Sequence, residues 1–148
     1  METEADNKIF FYEREFYVFS NFSSFAVEYN GCLWPTSEHA YQAQKFTDKN
    51  IVDEILKAGS SYDAFKIARA HEQDIRADWQ SIRVDVMEKI VRAKLEQHEY
   101  IRKMLLETGT REIIEDSPLD SFWGWGPNKD GENQLGKIWM KLREEIIS

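Results

Sequence analysis

Strand-like and helix-like patterns occupy different parts of this chain, and that segregation limits the folds it can adopt. Aromatic and β-branched residues fill much of the first third, whereas apolar residues recur at helical spacing in the remainder. A parallel α/β sheet would instead require strands and helices to alternate along the chain. The sequence therefore predicts an α+β fold, a single compact and helix-rich domain with a short N-terminal β-hairpin region.

The strand signals are short runs of aromatic and β-branched residues: 9–12, 16–19, 25–29, 32–34 and 112–115. The third and fourth runs flank Asn30-Gly31. This dipeptide accommodates the positive φ angles of a type I′ turn, so these two runs are predicted to form a hairpin.

Helical spacing is found in five segments: 36–46, 49–58, 61–71, 79–107 and 133–147. Thr36 or Ser37 is the expected N-cap of the first helix. The long fourth segment permits a break near His98 and ends before Gly109, a residue that suits a helix C-terminus. An apolar stripe on the last helix is expected to face the core.

The charge balance of the 148-residue chain argues against two kinds of partner. Lys plus Arg number 19 and Asp plus Glu number 27, which gives a net charge of −8. General binding of duplex nucleic acid requires a basic surface, and so does adsorption to an anionic membrane. The aromatic fraction is 14%, however, which suits stacking on a single base.

Redox and targeting signals predict a cytoplasmic protein. Cys32 is the only cysteine, so no internal disulfide can form and a reducing compartment is expected. Residues 1–8 form an acidic tail without the basic and apolar regions of a signal peptide, and the domain is predicted to span 9–148. No apolar run is as long as a membrane-spanning helix.

The first candidate site lies on the helix that follows Pro35. Glu38, Tyr41, Gln42 and Lys45 recur at i, i+3, i+4 and i+7, so they share one helix face. One interpretation is a solvated polar stripe, with Glu38 placed favourably near the positive end of the helix dipole. The other is a ligand-binding face in which aromatic neighbours desolvate Glu38 for acid/base chemistry. The aromatic residues close by in sequence are Trp34, Tyr41 and Phe46.

The second candidate site is the loop of residues 117–133, which contains Asp120, Trp123 and Gly124. It leads into the last helix, whose first N–H groups favour phosphate. Its glycines match neither a dinucleotide fingerprint nor a Walker loop. The loop is either a structural connection stapled by tryptophan, or a site wall with Asp120 as a second carboxylate and a tryptophan that stacks on a base.

Two further polar residues are weaker candidates. Asn21 turns its amide toward a ribose in one interpretation and serves a local turn in the other. Arg83 either binds phosphate or forms a surface pair. The three histidines lack the spacing of metal ligands, so neither a metal nor another cofactor is expected.

Several of these segments, in this order, resemble the NADAR family, also known as the YbiA-like N-glycosidases. The matching residues are 20–22, 34–39, 41–46, 120–124 and 131–136, with Trp79, Arg83, Met87, Met140 and Arg143. The resemblance extends over roughly residues 10–146. It implies a compact α+β fold and cleavage of N-glycosidic bonds on ribose.

The resemblance implies two substrate groups. One comprises the phosphoribosylamino-pyrimidine intermediates of early riboflavin synthesis. The other is ADP-ribose attached to guanine in nucleic acid, which antitoxin-like members remove, and which would make a toxin ADP-ribosyltransferase a functional partner. The competing hypothesis is a non-catalytic module that binds ADP-ribose or NAD. In each case we expect a monomer that holds one nucleotide-sized ligand and contacts no membrane.

Chemistry and resemblance together assign candidate roles. Glu38 is placed at the ribose as acid/base or electrostatic stabiliser, and Asp120 positions water or hydroxyls. Lys45 is the alternative nucleophile, which would form a Schiff base with the opened sugar. The residues predicted to bind substrate are Asn21, Trp34, Tyr41, Phe46, Arg83, Trp123 and Gly124.

Overall fold

The computed structural model describes residues 7–12 and 15–148. Its strands are β1 (Lys8–Phe11), β2 (Val27–Tyr29), β3 (Cys32–Trp34) and β4 (Glu112–Glu115). Its α-helices are α1 (Ser37–Ala43), α2 (Lys49–Leu56), α3 (Ser61–Ala70), α4 (Trp79–Gln97), α5 (Glu99–Glu107) and α6 (Gln134–Ile147). Short 3-10 helices span Glu15–Phe19 and Glu72–Asp74. The predicted α+β, helix-rich fold is confirmed.

Backbone contacts divide the chain into two compact units. The first unit combines the described residues up to Ser20 with His98–Ser148, and the second is Asn21–Gln97. β1, β4, α5 and α6 therefore belong to the first unit, and the β2–β3 hairpin with α1 to α4 belongs to the second.

The predicted acidic tail, residues 1–8, can be compared with the structure only at its last two residues, because residues 1–6 lie outside the described residues. Lys8, the last residue of the predicted tail, pairs with Glu112 in a sheet. The prediction of a single domain over residues 9–148 stays a prediction.

In the first unit, β1 and β4 pair in parallel, with Ile9 opposite Ile113. Burial alternates along β1, so Ile9 and Phe11 point into the core. The Phe11 ring meets Phe19 edge-on at 5.9 Å, and Phe19 packs on Trp139 of α6 at 5.0 Å between centroids. The apolar stripe predicted for the last helix is confirmed, because this face of α6 is buried.

The predicted strand at residues 16–19 is wrong, since this segment lies in a 3-10 helix. A strand would turn alternate side chains to opposite faces, yet Val18, Phe19 and Ser20 are all buried in succession. The Phe19 carbonyl accepts a hydrogen bond of 3.0 Å from the Trp139 indole N–H. Tertiary contacts with α6 therefore override the local strand preference.

In the second unit, the predicted hairpin is confirmed as the antiparallel pair β2–β3. Asn30 and Gly31 both have positive φ angles, 51° and 79°, as a type I′ turn requires. The Trp34 indole donates a hydrogen bond to the Tyr29 carbonyl across the turn. α1 packs against α2, α3 and α4 and also contacts both strands of this hairpin.

The helix boundaries follow the sequence signals, with one shortfall. Thr36 is the N-cap of α1, but the helix ends at Ala43 rather than residue 46. The predicted break near His98 is confirmed as the junction of α4 and α5, and Gly109 has the positive φ expected after a helix end. Among the described residues, no helix is long and apolar enough to cross a membrane.

Candidate active site

The first turn of α1 places Glu38 in the interior of the second unit, where it is 6% exposed. The Thr36 hydroxyl caps the helix by accepting from the His39 amide at 3.2 Å. The Glu38 amide donates to the Asn21 carbonyl at 3.0 Å, which ties this turn to the preceding loop. The carboxylate therefore sits on a fixed backbone, as an active-site group requires.

Asn21 holds the start of α1 in place. Its side-chain oxygen accepts from the Ser37 hydroxyl at 3.1 Å, and its amide nitrogen donates to the Met87 sulfur at 3.2 Å. These contacts give Asn21 a positioning role toward Glu38. Its direct contact with a ribose stays a prediction.

Gln42 contacts Glu38 one turn further along α1. Its amide nitrogen donates to Glu38 Oε1 at 2.7 Å, a short bond to an ionisable acceptor. The residue is 3% exposed, and its side-chain oxygen has no hydrogen-bond partner among the described residues. The sequence placed Gln42 on this face but assigned it no role. The i, i+4 spacing from Glu38 was the available signal.

Lys45 lies just beyond the end of α1 and is half-buried. Its ammonium group is 5.5 Å from the Tyr41 ring centroid, so the side chain leans back along the helix as its position suggests. Burial lowers the pKa of the Lys45 amine below its ordinary value of 10.5. The Glu38 charge opposes this shift, whereas the Arg83 charge adds to it.

The electrostatic coupling brings three predicted site residues into one neighbourhood, Glu38, Lys45 and Arg83. Arg83 is half-buried on α4, one turn after Trp79. The buried Trp79 ring packs on Tyr41 at 5.2 Å, which joins the start of α4 to the Glu38 face of α1. The charges of a buried carboxylate and of a guanidinium thus both act on the desolvated Lys45 amine, which lies beside the Tyr41 ring.

Two predicted substrate contacts are core residues of the second unit. Trp34 is 2% exposed, and Phe46 is 5% exposed with its ring edge-on to His71 at 6.4 Å. Both rings stabilise the surroundings of α1. Contact of either ring with substrate stays a prediction.

His39 is occupied by structural hydrogen bonds. Its Nε2 lies 3.0 Å from the Ala58 carbonyl, which can only accept, so Nε2 carries the proton. Nδ1 then accepts from the Thr36 hydroxyl at 2.8 Å, and that hydroxyl in turn accepts from Ser61 at 3.0 Å. The described part of the chain contains no group of three His, Cys, Asp or Glu residues that could hold a metal ion.

The structure places Asp120, Trp123 and Gly124 in the first unit, in the loop before α6. Asp120 Oδ1 accepts from the amides of Phe122 and Trp123 at 2.9 and 2.8 Å, so this carboxylate organises the turn. A Cβ at Gly124 would come within 2.7 Å of the Glu115 carbonyl oxygen, so glycine is required for loop packing. The catalytic role of Asp120 stays a prediction.

The expectation of free amides at the start of the last helix is wrong. The amides of Gln134 and Leu135 donate to the carbonyls of Phe122 and Trp123, both at 3.0 Å. Because these two N–H groups already donate to loop carbonyls, they are not available as donors to a phosphate. The N-cap residue Asn133 is likewise engaged, because its side chain bonds to the backbone of β4.

A family model described as the NADAR domain matches residues 10–147. N-glycosidase YbiA of Shigella boydii is 41% identical over 128 residues, which cover 86% of this chain and 80% of that protein. An N-glycosidase of Nostoc punctiforme is 41% identical over 143 residues, which cover 93% of this chain and 92% of that protein.

A longer relative and a solved structure also match. A riboflavin biosynthesis protein of Vibrio vulnificus is 41% identical over 143 residues, which cover 95% of this chain but 39% of that protein. The NMR structure of the Escherichia coli protein YbiA has a TM-score of 0.86 and 39% identity. The match covers 96% of this chain and 86% of that chain.

Proposed function

The chain belongs to the NADAR family, and we propose that it hydrolyses the N-glycosidic bond between a phosphorylated ribose and a nitrogen base. Relatives at 41% identity are named N-glycosidases, which supports an enzyme that acts on N-glycosyl bonds. The observation that carries the proposal is the buried Glu38 carboxylate, whose charge acts on the desolvated Lys45 amine, as does the charge of Arg83.

Hydrolysis of such a bond requires an enzyme to stabilise the positive charge on the sugar and to move protons from the attacking water and to the departing base. As the C1–N bond breaks, its electron pair leaves with the base and positive charge develops on C1 and the ring oxygen. Water then adds to C1, and one proton reaches the departing nitrogen. A buried carboxylate stabilises the positive charge on the sugar, and it accepts the proton of the attacking water. The burial of Glu38 supports both tasks.

Lys45 offers a second route to the same products. Its neutral amine attacks C1 and displaces the base, and ring opening then yields an imine between Nζ and the sugar. Water hydrolyses the imine, which releases the sugar and restores the amine. The lowered pKa of Lys45 increases the neutral fraction that this route requires.

The substrate of first choice is a phosphoribosylamino-pyrimidine. Relatives named as riboflavin biosynthesis proteins support this choice, and the cation of Arg83 suits a phosphate group. ADP-ribosyl-guanine in nucleic acid is the second candidate. The net charge of −8 favours a grip on one modified nucleotide rather than on a strand.

The test incubates the protein with a phosphoribosylamino-pyrimidine and, separately, with an ADP-ribosylated guanine oligonucleotide, and measures released base and sugar by mass. Glu38→Gln is expected to lower turnover by about 100-fold or more while ligand still binds. Glu96→Gln, on an exposed part of α4 in the same unit, is the matched control and keeps full activity. Binding of ADP-ribose by the wild type with no turnover of either substrate would favour the non-catalytic module instead.

A further inference from the structure

We infer that Gln42 is a specificity-determining residue whose side-chain oxygen accepts a hydrogen bond from the ribose hydroxyl next to the anomeric carbon. The inference deepens the proposed function and rests on it. Gln42 lies wholly within the second unit, on the same helix as Glu38. It would make the enzyme prefer ribosides over 2-deoxyribosides.

The starting observation is an unsatisfied acceptor in a buried place. Gln42 is 3% exposed, and its Oε1 has no hydrogen-bond partner within residues 7–12 and 15–148. A buried polar atom without a partner destabilises the folded protein, so proteins rarely retain one without a use. A ligand that donates a proton at this point would offset that destabilisation.

The orientation of the amide is set by Glu38. An amide and a carboxylate attract only when the NH₂ group faces the carboxylate, as it does at 2.7 Å. Turning the amide over would place two oxygens against each other. The oxygen of Gln42 therefore points away from Glu38 and presents an acceptor, which selects a ligand with a donor group and rejects one without.

The position of the acceptor indicates which donor it meets. Glu38 acts at the anomeric carbon in the proposed reaction, and Gln42 is one hydrogen bond away from Glu38. The hydroxyl on the adjacent sugar carbon, C2, is the donor closest to that reacting centre. A hydrogen bond at this hydroxyl also strengthens as charge develops in glycosidase transition states, so its effect belongs in kcat/KM.

The experiment compares a phosphoribosylamino-pyrimidine with its 2-deoxyribosyl counterpart for the wild type, Gln42→Met and Gln44→Met. Methionine keeps the length of glutamine but has no strong acceptor. Gln44 is the matched control, because it follows α1 and its side chain accepts only a weak, exposed bond from Asn30. The ratio of kcat/KM for the two substrates is the readout, and the different intrinsic reactivities of the substrates cancel between variants.

Gln42→Met is expected to lower the riboside-to-deoxyriboside ratio of kcat/KM by about 10-fold or more, because the riboside loses one hydrogen bond to a buried acceptor. Gln44→Met should leave the ratio at its wild-type value. Equal losses on both substrates would overturn the inference, since a role limited to packing or to holding Glu38 affects both sugars alike.

A second variant guards against misfolding of the first. In Gln42→Glu a carboxyl replaces the amide against Glu38, and the two carboxyls share one proton, so the oxygen that points away from Glu38 is retained as an acceptor. This variant is expected to keep the riboside preference at a lower rate, whereas loss of the preference contradicts the inference. Absence of wild-type turnover on any riboside overturns the proposed function together with this inference. An active wild type with an unchanged ratio in Gln42→Met overturns this inference alone.

Discussion

Lys94 is a fully buried amine on α4, and its replacement by methionine has a pH-dependent effect that the structure predicts. Its Nζ donates to the Ser23 hydroxyl at 2.9 Å and lies 5.7 Å from the Phe25 ring centroid. Burial lowers the pKa of Lys94 to about 7 from an ordinary value of 10.5. Ser23 is two residues from Asn21, so the amine also stabilises the loop that positions Glu38.

The magnitude follows from the two pKa values. Below about pH 7 the amine is protonated in both the folded and the unfolded chain, and the full penalty for burying a charge applies. Between about pH 7 and 10.5 the unfolded chain holds the proton and the folded chain does not, so stability rises with pH by about 1.4 kcal/mol per unit. Between about pH 7.5 and 9.5 the titration of Lys94 therefore raises the free energy of unfolding by about 2–3 kcal/mol.

The assay is urea unfolding at several pH values, followed by far-UV circular dichroism, for the wild type and Lys94→Met. The difference in unfolding free energy between the two proteins cancels the titration of all other groups. The unfolding free energy of the wild type, minus that of Lys94→Met, should rise by about 2–3 kcal/mol between about pH 7.5 and 9.5. Lys89→Met is the control, because exposed Lys89 pairs with Asp85, which raises its pKa and leaves it protonated in both states.

A pH-independent difference between wild type and Lys94→Met would refute this reasoning, since it would mean that the buried amine keeps its proton on folding. A Lys89→Met protein with the same pH dependence as Lys94→Met would refute it as well. The loss of the Ser23 contact is common to all pH values and shifts only the baseline.

Three further predictions concern Lys45 and the junction of β4 with α6. The Lys45 route predicts that borohydride added during turnover traps the sugar on Lys45, as measured by the mass of the protein, and an enzyme without a trapped sugar excludes the imine route. The Lys45-dependent limb of the pH–rate profile should lie below pH 10.5 and move upward in Arg83→Gln, since the Arg83 charge lowers that pKa. Gly136→Ala should destabilise the protein by about 2–3 kcal/mol in urea unfolding, because a Cβ there would overlap the Ile113 carbonyl. Gly59→Ala, whose Cβ makes only ordinary contact, should change it by less than about 1 kcal/mol.

Local chemistry was sufficient to predict most of the elements. Asn30-Gly31 specified its hairpin because few other dipeptides accept two positive φ angles, and Thr36 specified the start of α1 through its hydroxyl cap. Residues 16–19 were mispredicted, because their burial is set by Trp139, far away in sequence. The parallel pairing of β1 with β4 likewise depends on a contact between the two ends of the chain.

At the candidate site too, local spacing predicted some features and tertiary contacts decided the others. Helical spacing predicted Glu38, Gln42 and Lys45 on one face, since i, i+4 and i+7 positions align on an α-helix. The helix ends at Ala43, before Lys45, but the Lys45 ammonium group still lies 5.5 Å from the Tyr41 ring centroid. Spacing could not show that Gln42 is oriented by Glu38 with a free acceptor, or that the Lys45 amine is desolvated beside Arg83. Nor could it show that the first two amides of α6 are already bonded to carbonyls of the preceding loop.

The sequence by itself determined the α+β class, the hairpin, the polar face of α1 and the family, because each depends on neighbouring residues or on ordered motifs. Only the tertiary structure decided which of those polar groups are buried, which hydrogen bonds they have already made and which amines have a lowered pKa. Burial and hydrogen bonding depend on segments brought together from distant parts of the chain, and the free energy of a buried charge depends on all of its neighbours.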